Sequence, residues 1–194
     1  MRYTYLGGRH ESVPRDVTDV IFHPSVNIIQ RAAFYDCRSL ERVTIPDTIT
    51  RIGNVAFRDC VSLRFLRLST NLEYIGHRAF RGCSSLEAVF LPPTVTSIGN
   101  MAFSNCKSLR FCILPDPIEY VGDYVFSRCN RILTTIQYEN GNGYGINNAE
   151  VNERLMQRHA NLPFHQACFS TSVTSQEIEG CIQEHGIECA TEVD

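Results

Sequence analysis

Residues 52–68 read Ile-Gly-Asn-Val-Ala-Phe-Arg-Asp-Cys-Val-Ser-Leu-Arg-Phe-Leu-Arg-Leu, and this stretch decides the fold because its pattern returns along the chain at a fixed interval. Its phenylalanine, Phe57, has counterparts at Phe34, Phe80, Phe103 and Phe126, each 23 residues from the next. Three residues after each comes a cysteine (Cys37, Cys60, Cys83, Cys106, Cys129), and three further on stands Leu40, Leu63, Leu86, Leu109 or Ile132. The apolar columns continue through Val43, Leu66, Val89 and Cys112, and through Ile45, Leu68, Leu91 and Leu114. Later in the unit come Ile49, Leu72, Val95 and Ile118, then Ile52, Ile75, Ile98 and Val121, each of the last four followed by a glycine (Gly53, Gly76, Gly99, Gly122). No single unit of this kind can bury its apolar face, so stability has to come from neighbours stacked upon it.

A period of 23 residues falls within the ~20 to 29 of leucine-rich repeats and leaves room for one strand and one tight turn. The strand is read from Leu40 to Ile45, where inward Val43 and Ile45 alternate with outward Arg42 and Thr44. Pro46, Pro92 and Pro115 end it, since proline offers no ladder donor. The segment Gly53-Asn54-Val55-Ala56-Phe57 reads as a short helical turn whose Ala allows close approach and whose Phe fills the interior. The position after the first strand leucine reads Glu41, Arg64, Glu87, Arg110. In a parallel in-register sheet with strands about 4.8 Å apart, each acid then lies beside a base. Exposed pairs of this type contribute roughly 0 to 1 kcal/mol each, but they disfavour a slip in register.

The recurring motif Ile52-Gly53-x-x-Ala56-Phe57-x-x-Cys60-x-Ser62-Leu63-x-x-Leu66-x-Leu68 resembles the BspA-type leucine-rich repeat over residues 17 to about 137. The resemblance implies an α/β repeat fold: a curved, right-handed solenoid with a parallel β-sheet and short helical turns. It also implies use in protein recognition, often in surface or adhesion proteins of microbes.

Four segments are expected. Residues 1–16 cap the first unit, which is incomplete: Val17, Val20, Phe22, Val26 and Ile29 keep the phase, but Gln30 stands where later units have glycine. The solenoid occupies 17–137, its phase failing after Ile132, as suits a terminal repeat. A turn-rich linker, 138–147, contains Glu139-Asn140-Gly141-Asn142-Gly143-Tyr144-Gly145. Residues 148–194 read as a helical segment, with Asn148 as a cap and Val151 and Leu155 on one face. Within it, Leu162-Pro163-Phe164-His165-Gln166-Ala167-Cys168 resembles the first helix of an ankyrin repeat, and Cys181-Ile182-Gln183-Glu184-His185-Gly186 its second helix and closing glycine.

Composition narrows the function. A net charge of -3, with Lys107 the only lysine, supplies no broad positive field for nucleic acid. No stretch approaches the ~18 apolar residues of a membrane span, and the residues after Met1 offer no apolar export core, so a cytoplasmic protein is expected, a microbial surface adhesin being the alternative. The odd count of nine cysteines argues against a disulfide framework. Stacked cysteines about 5 Å apart could bridge, yet cysteine is a compact filler of cores and is read as one here. His159, His165, Cys168, Cys181, His185 and Cys189 are soft ligands without a Cys-x-x-Cys knuckle, so no metal site is expected. His165 and Cys168, three residues apart, read as packing and not as a nucleophile with its base. With no phosphate loop, GxSxG elbow or HExxH motif, neither an enzyme nor a cofactor nor a small-molecule substrate is expected, a metal-binding or hydrolytic C-terminal segment being the remaining alternative.

One outward strand row reads Asp19, Arg42, Phe65, Ala88, Phe111, Thr134, and the next reads Ile21, Thr44, Arg67, Phe90, Ile113, Ile136. Polar residues are the default there. Phe65, Phe90, Phe111 and Ile113 instead converge in mid-sheet, flanked by Arg42 and Arg67, which is the composition of a surface that docks an unidentified protein partner. A covering terminal segment, or aromatic stacking along the ladder for stability, would explain the same residues.

Overall fold

The computed structural model describes residues 1–113, 118–129 and 134–135, with Phe111, Ile113, Thr134 and Thr135 by backbone alone. The elements in chain order are β1 (Arg2–Tyr5), β2 (Asp19–Phe22), β3 (Ile28–Ile29), β4 (Arg42–Thr44), β5 (Arg51–Ile52), β6 (Phe65–Arg67), β7 (Tyr74–Ile75), β8 (Ala88–Phe90), β9 (Ser97–Ile98), β10 (Phe111–Ile113), β11 (Tyr120–Val121) and β12 (Thr134–Thr135). Every pairing is parallel, and from β3 onward the register advances by the repeat period: Arg42 lies beside Phe65, Arg51 beside Tyr74, Ala88 beside Phe111. The chain is therefore a solenoid of stacked coils.

Each full coil carries two strands, where the repeat pattern alone suggested one. The ladders β1-β2, β4-β6 and β8-β10-β12 form one side, and β3, β5, β7, β9 and β11 form an unbroken five-stranded sheet on another. The columns Ile29, Ile52, Ile75, Ile98 and Val121 are the buried residues of this second sheet. Two-residue strands are too short for period-two alternation to mark them.

The expected helical turn is replaced by a different device, and the described residues contain no helix. Ala32, Val55, Arg78, Met101 and Tyr124 have φ between 54° and 58°, and four residues later Asp36, Asp59, Asn105 and Arg128 are again left-handed, with Gly82 at 79°. An α-helix needs every residue right-handed, so these interruptions forbid the helical ladder. Hydrogen bonding alternates instead. The N–H groups of Val55, Phe57 and Asp59 donate to the next coil's carbonyls of His77, Ala79 and Arg81 at 2.9, 2.7 and 2.8 Å. Between them, Ala56, Arg58 and Cys60 donate to carbonyls three residues back in their own coil. The turn thus serves as a further ladder between coils, so its buried amides are all used.

Inside, Phe34, Phe57, Phe80, Phe103 and Phe126 form a single file with ring centroids 4.8, 5.2, 5.2 and 5.7 Å apart and interplanar angles of 10° or less. Leu40, Leu63, Leu86 and Leu109 and the isoleucine columns fill the remaining interior. At the N-terminal end the buried ring of Tyr5 packs 5.0 Å from Phe34, with Phe22 5.9 Å from both. The Tyr5 hydroxyl accepts the N–H of Gln30 at 2.9 Å. In the other coils that N–H belongs to a glycine and donates to a neighbouring coil's carbonyl, as Gly53 does to Ile29 at 2.8 Å. Tyr5 therefore supplies, where the stack begins, the acceptor that a preceding coil would have supplied. Glu11 closes the segment by accepting from the Tyr3 hydroxyl and from the N–H groups of Leu6 and Gly8. The linker 138–147 and the segment 148–194, with their helical and ankyrin-like readings, lie outside the described residues.

Candidate functional site

The outward side chains of β2, β4, β6 and β8 form the face that the two strand rows anticipated. Arg42, Thr44 and Arg67 are exposed, whereas Phe65 and Phe90 are half-buried. The expectation of an open apolar patch needs correcting here, because Phe65 is occupied on the protein's own account. The Arg42 guanidinium lies 4.2 Å from its ring centroid and that of Arg64 5.0 Å. Cations over a ring gain from its quadrupole, by about 0.5 to 1 kcal/mol at exposed sites. Arg64 also grips Glu87 with both ends of its fork, Nε to Oε1 at 2.8 Å and a terminal nitrogen to Oε2 at 3.4 Å. That pair links β6 to β8, where the strand ladder itself is interrupted. In the alternating row Glu41, Arg64, Glu87, Arg110, the two central residues form this ion pair.

Ala88, between Phe65 and Phe111 in its row, is only 1% exposed. Asp47, at the end of β4's coil, accepts the N–H of Thr70 at 2.8 Å. That bond, with the charge of Arg67 adding to it, holds its carboxyl below the usual range. The structure therefore brings Arg42 and Phe65 into contact and sets Arg67 and Phe90 on neighbouring strands in one row. The backbones of Phe111 and Ile113 continue both rows beside Ala88 and Phe90. Arg64 is the member that sequence reasoning missed: it was read as half of an ion pair, although its place next to Phe65 in the chain was a signal for ring contact. A second aromatic contact, Arg51 4.4 Å over Tyr74, lies on the five-stranded sheet and was likewise unread.

The cysteine column is the competing chemical candidate. Cys37, Cys60, Cys83, Cys106 and Cys129 are buried and unbridged, as the packing reading expected. They also bond: the thiols of Cys60, Cys83, Cys106 and Cys129 donate to the carbonyls of Phe34, Phe57, Phe80 and Phe103 at 3.1 to 3.3 Å. Burial pushes the Cys37 thiol up to about 11, and those of Cys60, Cys83 and Cys106 are raised further by the same desolvation. A thiol held protonated is neither nucleophile nor metal ligand. His159, His165, Cys168, Cys181, His185 and Cys189 lie outside the described residues, and among the described ones no group of His, Cys, Asp or Glu is arranged to hold a metal ion. No helix among them is long and apolar enough to cross a membrane.

The profile of the BspA type leucine-rich repeat region matches residues 14–135 in six copies. This chain belongs to that family. Among solved structures, a leucine-rich repeat protein of T. pallidum is 31% identical, with a TM-score of 0.56 over 69% of this chain and 62% of its own. A leucine-rich cell surface protein of Faecalibacterium prausnitzii is 22% identical, with a TM-score of 0.60 over 84% of this BspA-type chain and 38% of its own. A Bacteroides ovatus leucine-rich repeat protein is 23% identical, with a TM-score of 0.50 over 69% of this chain and 36% of its own. The last two share the fold. The chain thus spans under two thirds of the length of each of these three proteins. No curated protein matches it.

Proposed function

We propose that this BspA-type solenoid is a non-catalytic recognition module that docks a protein partner on its strand face through Arg42, Phe65, Arg67 and Phe90, with Phe111 and Ile113 continuing the rows. The observation that carries the reading is the pair of half-buried phenylalanines, Phe65 and Phe90, held outward among exposed arginines on neighbouring strands. Aromatic rings already fixed by packing lose little freedom on binding, and arginine and aromatic residues dominate interface energetics. Part of each residue's surface remains to be desolvated by a partner. The test is affinity capture from native lysate with the parent chain and with a Phe65→Ala, Phe90→Ala double variant, the fold of both being checked by circular dichroism. Specific bands that disappear with the variant are expected; a folded variant that retains every band sinks the proposal.

Residence at a microbial cell surface is a second reading, favoured by the cell-surface designation of the F. prausnitzii protein of the same fold. A cytoplasmic residence is the first expectation. Fractionation with surface labelling of the native protein distinguishes them, since labelled Tyr and Lys side chains on intact cells require exposure outside the membrane.

A further inference from the structure

Arg51 shows what the outer surface of the five-stranded sheet can hold. Its guanidinium lies 4.4 Å from the ring centroid of Tyr74, its partner in register on the next strand. A cation reaching the ring from β5 takes the face turned toward β5, so the opposite face is turned toward β9. There the column continues with Ser97, whose side chain stops at one hydroxyl, and then with Tyr120 on β11. Tyr120 is 47% exposed, and its hydroxyl donates to Oδ1 of Asn100 at 3.1 Å, which fixes the ring at one edge of the gap over Ser97. Two strand spacings, about 9 to 10 Å, separate the backbones of Tyr74 and Tyr120. Twice the 4.4 Å at which Arg51 lies over Tyr74 nearly equals that separation, and no ring contact joins the two tyrosines among the described residues. The rows on either side supply charge. Glu73 and Glu119 flank Thr96 in the row before, and Asp123 stands beside Asn100 in the row after. Glu73, Glu119 and Asp123 are exposed, and from β7 to β11 these three rows contain no lysine or arginine.

We infer that the gap over Ser97, between Tyr74 and Tyr120, seats the guanidinium of an arginine side chain from a partner protein. Each ring offers the negative face of its quadrupole to the cation, and a planar guanidinium can stack on both at once. The carboxylates of Glu73 and Glu119 complement its charge, and rings held by Arg51 and by Asn100 have little freedom to lose on binding. The partner's arginine thus continues the column that Arg51 begins. The seat lies on the other sheet from Phe65 and Phe90, so it does not rest on the strand-face docking.

The test follows the tyrosine ring signals of the full chain by NMR while a Gly-Ser-Arg-Ser-Gly peptide, blocked at both ends, is added at constant ionic strength. Tyr74→Phe and Tyr120→Phe assign the signals. Those of Tyr74 and Tyr120 should shift saturably, while that of buried Tyr5 does not move. The same peptide with citrulline in place of arginine is planar but uncharged, and should bind about tenfold more weakly or not at all. Ser97→Arg should abolish the response, because the chain's own guanidinium then fills the gap, as that of Arg51 fills the place before Tyr74. Tyr120→Ala changes a residue that is nearly half exposed, so it keeps the fold and should remove the response at Tyr74. No saturable shift, equal binding of the citrulline peptide, or a response at Tyr74 that survives either Ser97→Arg or Tyr120→Ala overturns the proposal.

Discussion

Position 76 has room for a hydrogen atom and nothing larger. A Cβ on Gly76 would stand 2.6 Å from the backbone N of Asn54 and the carbonyl carbon of Gly53, and Gly53, Gly99 and Gly122 meet the preceding coil just as closely. Because backbone cannot swing aside as a side-chain tip can, Gly76→Ala should cost about 3 kcal/mol or more, at the upper end of overpacking, and lower the urea midpoint accordingly. The cysteines supply the second consequence at this scale. In the folded chain Cys37 is raised from 9.0 to about 11, so folding favours its protonated form. Below pH 9 that preference is fully present; as pH rises from 9 through 11 the unfolded chain loses its proton first and stability falls. Two pH units correspond to about 3 kcal/mol for Cys37 alone, with Cys60, Cys83 and Cys106 extending the loss to higher pH. Urea midpoints should therefore hold level from pH 7 to 8.5 and then drop, and Cys37→Ala should drop less steeply; equal slopes would refute the assignment.

Elements in this fold are defined by their neighbours, which is why some were legible in the sequence and others were not. The strand at Arg42–Thr44 could be read because Val43 and Ile45 face in and Arg42 and Thr44 face out. The phenylalanine file could be read because a stacked coil needs one large ring per layer. The second sheet was hidden because Arg51–Ile52 and its equivalents are two residues long. The turn was misread because Val55, Arg78, Met101 and Tyr124 are poor choices for a left-handed backbone, although Asp36, Asp59, Gly82 and Asn105 are good ones and were the available clue. At the candidate site the residue types were readable, but not that the Arg42 and Arg64 guanidiniums would lie over Phe65, since a contact between coils has no local signature. The role of β1 was equally non-local: its Tyr5 hydroxyl reaches Gln30, 25 residues away. Tyr5→Phe keeps the ring against Phe34 and removes only that acceptor, so it should destabilise by about 1 kcal/mol, the lower end of the cost of an unmet N–H because this one is part-buried, as thermal unfolding would report. A change within 0.3 kcal/mol would assign the capping to the ring alone.

Among the described residues each coil packs on its neighbours in the stack, so stability there is approximately a sum of coil terms and interfaces and need not be lost everywhere together. Central coils, those of Phe57, Phe80 and Phe103, have stacked partners on both sides; the first coil has Tyr5 and Phe22 on one side. Native-state hydrogen exchange should therefore grade along the axis, slowest at the turn amides of Phe57 and Phe80, which donate to the next coil at 2.7 and 2.8 Å, and faster toward β1 and β2. Loosening the cap separates this picture from an all-or-none fold. In Tyr5→Phe the amides of residues 30–37 should exchange faster while those of 76–83 keep their rates, because the lost bond weakens one interface and no other. Uniform acceleration over both segments would mean that the coils unfold as a single cooperative body, and the arginine and phenylalanine rows on the strand face would then gain or lose order together whenever either end of the stack was perturbed.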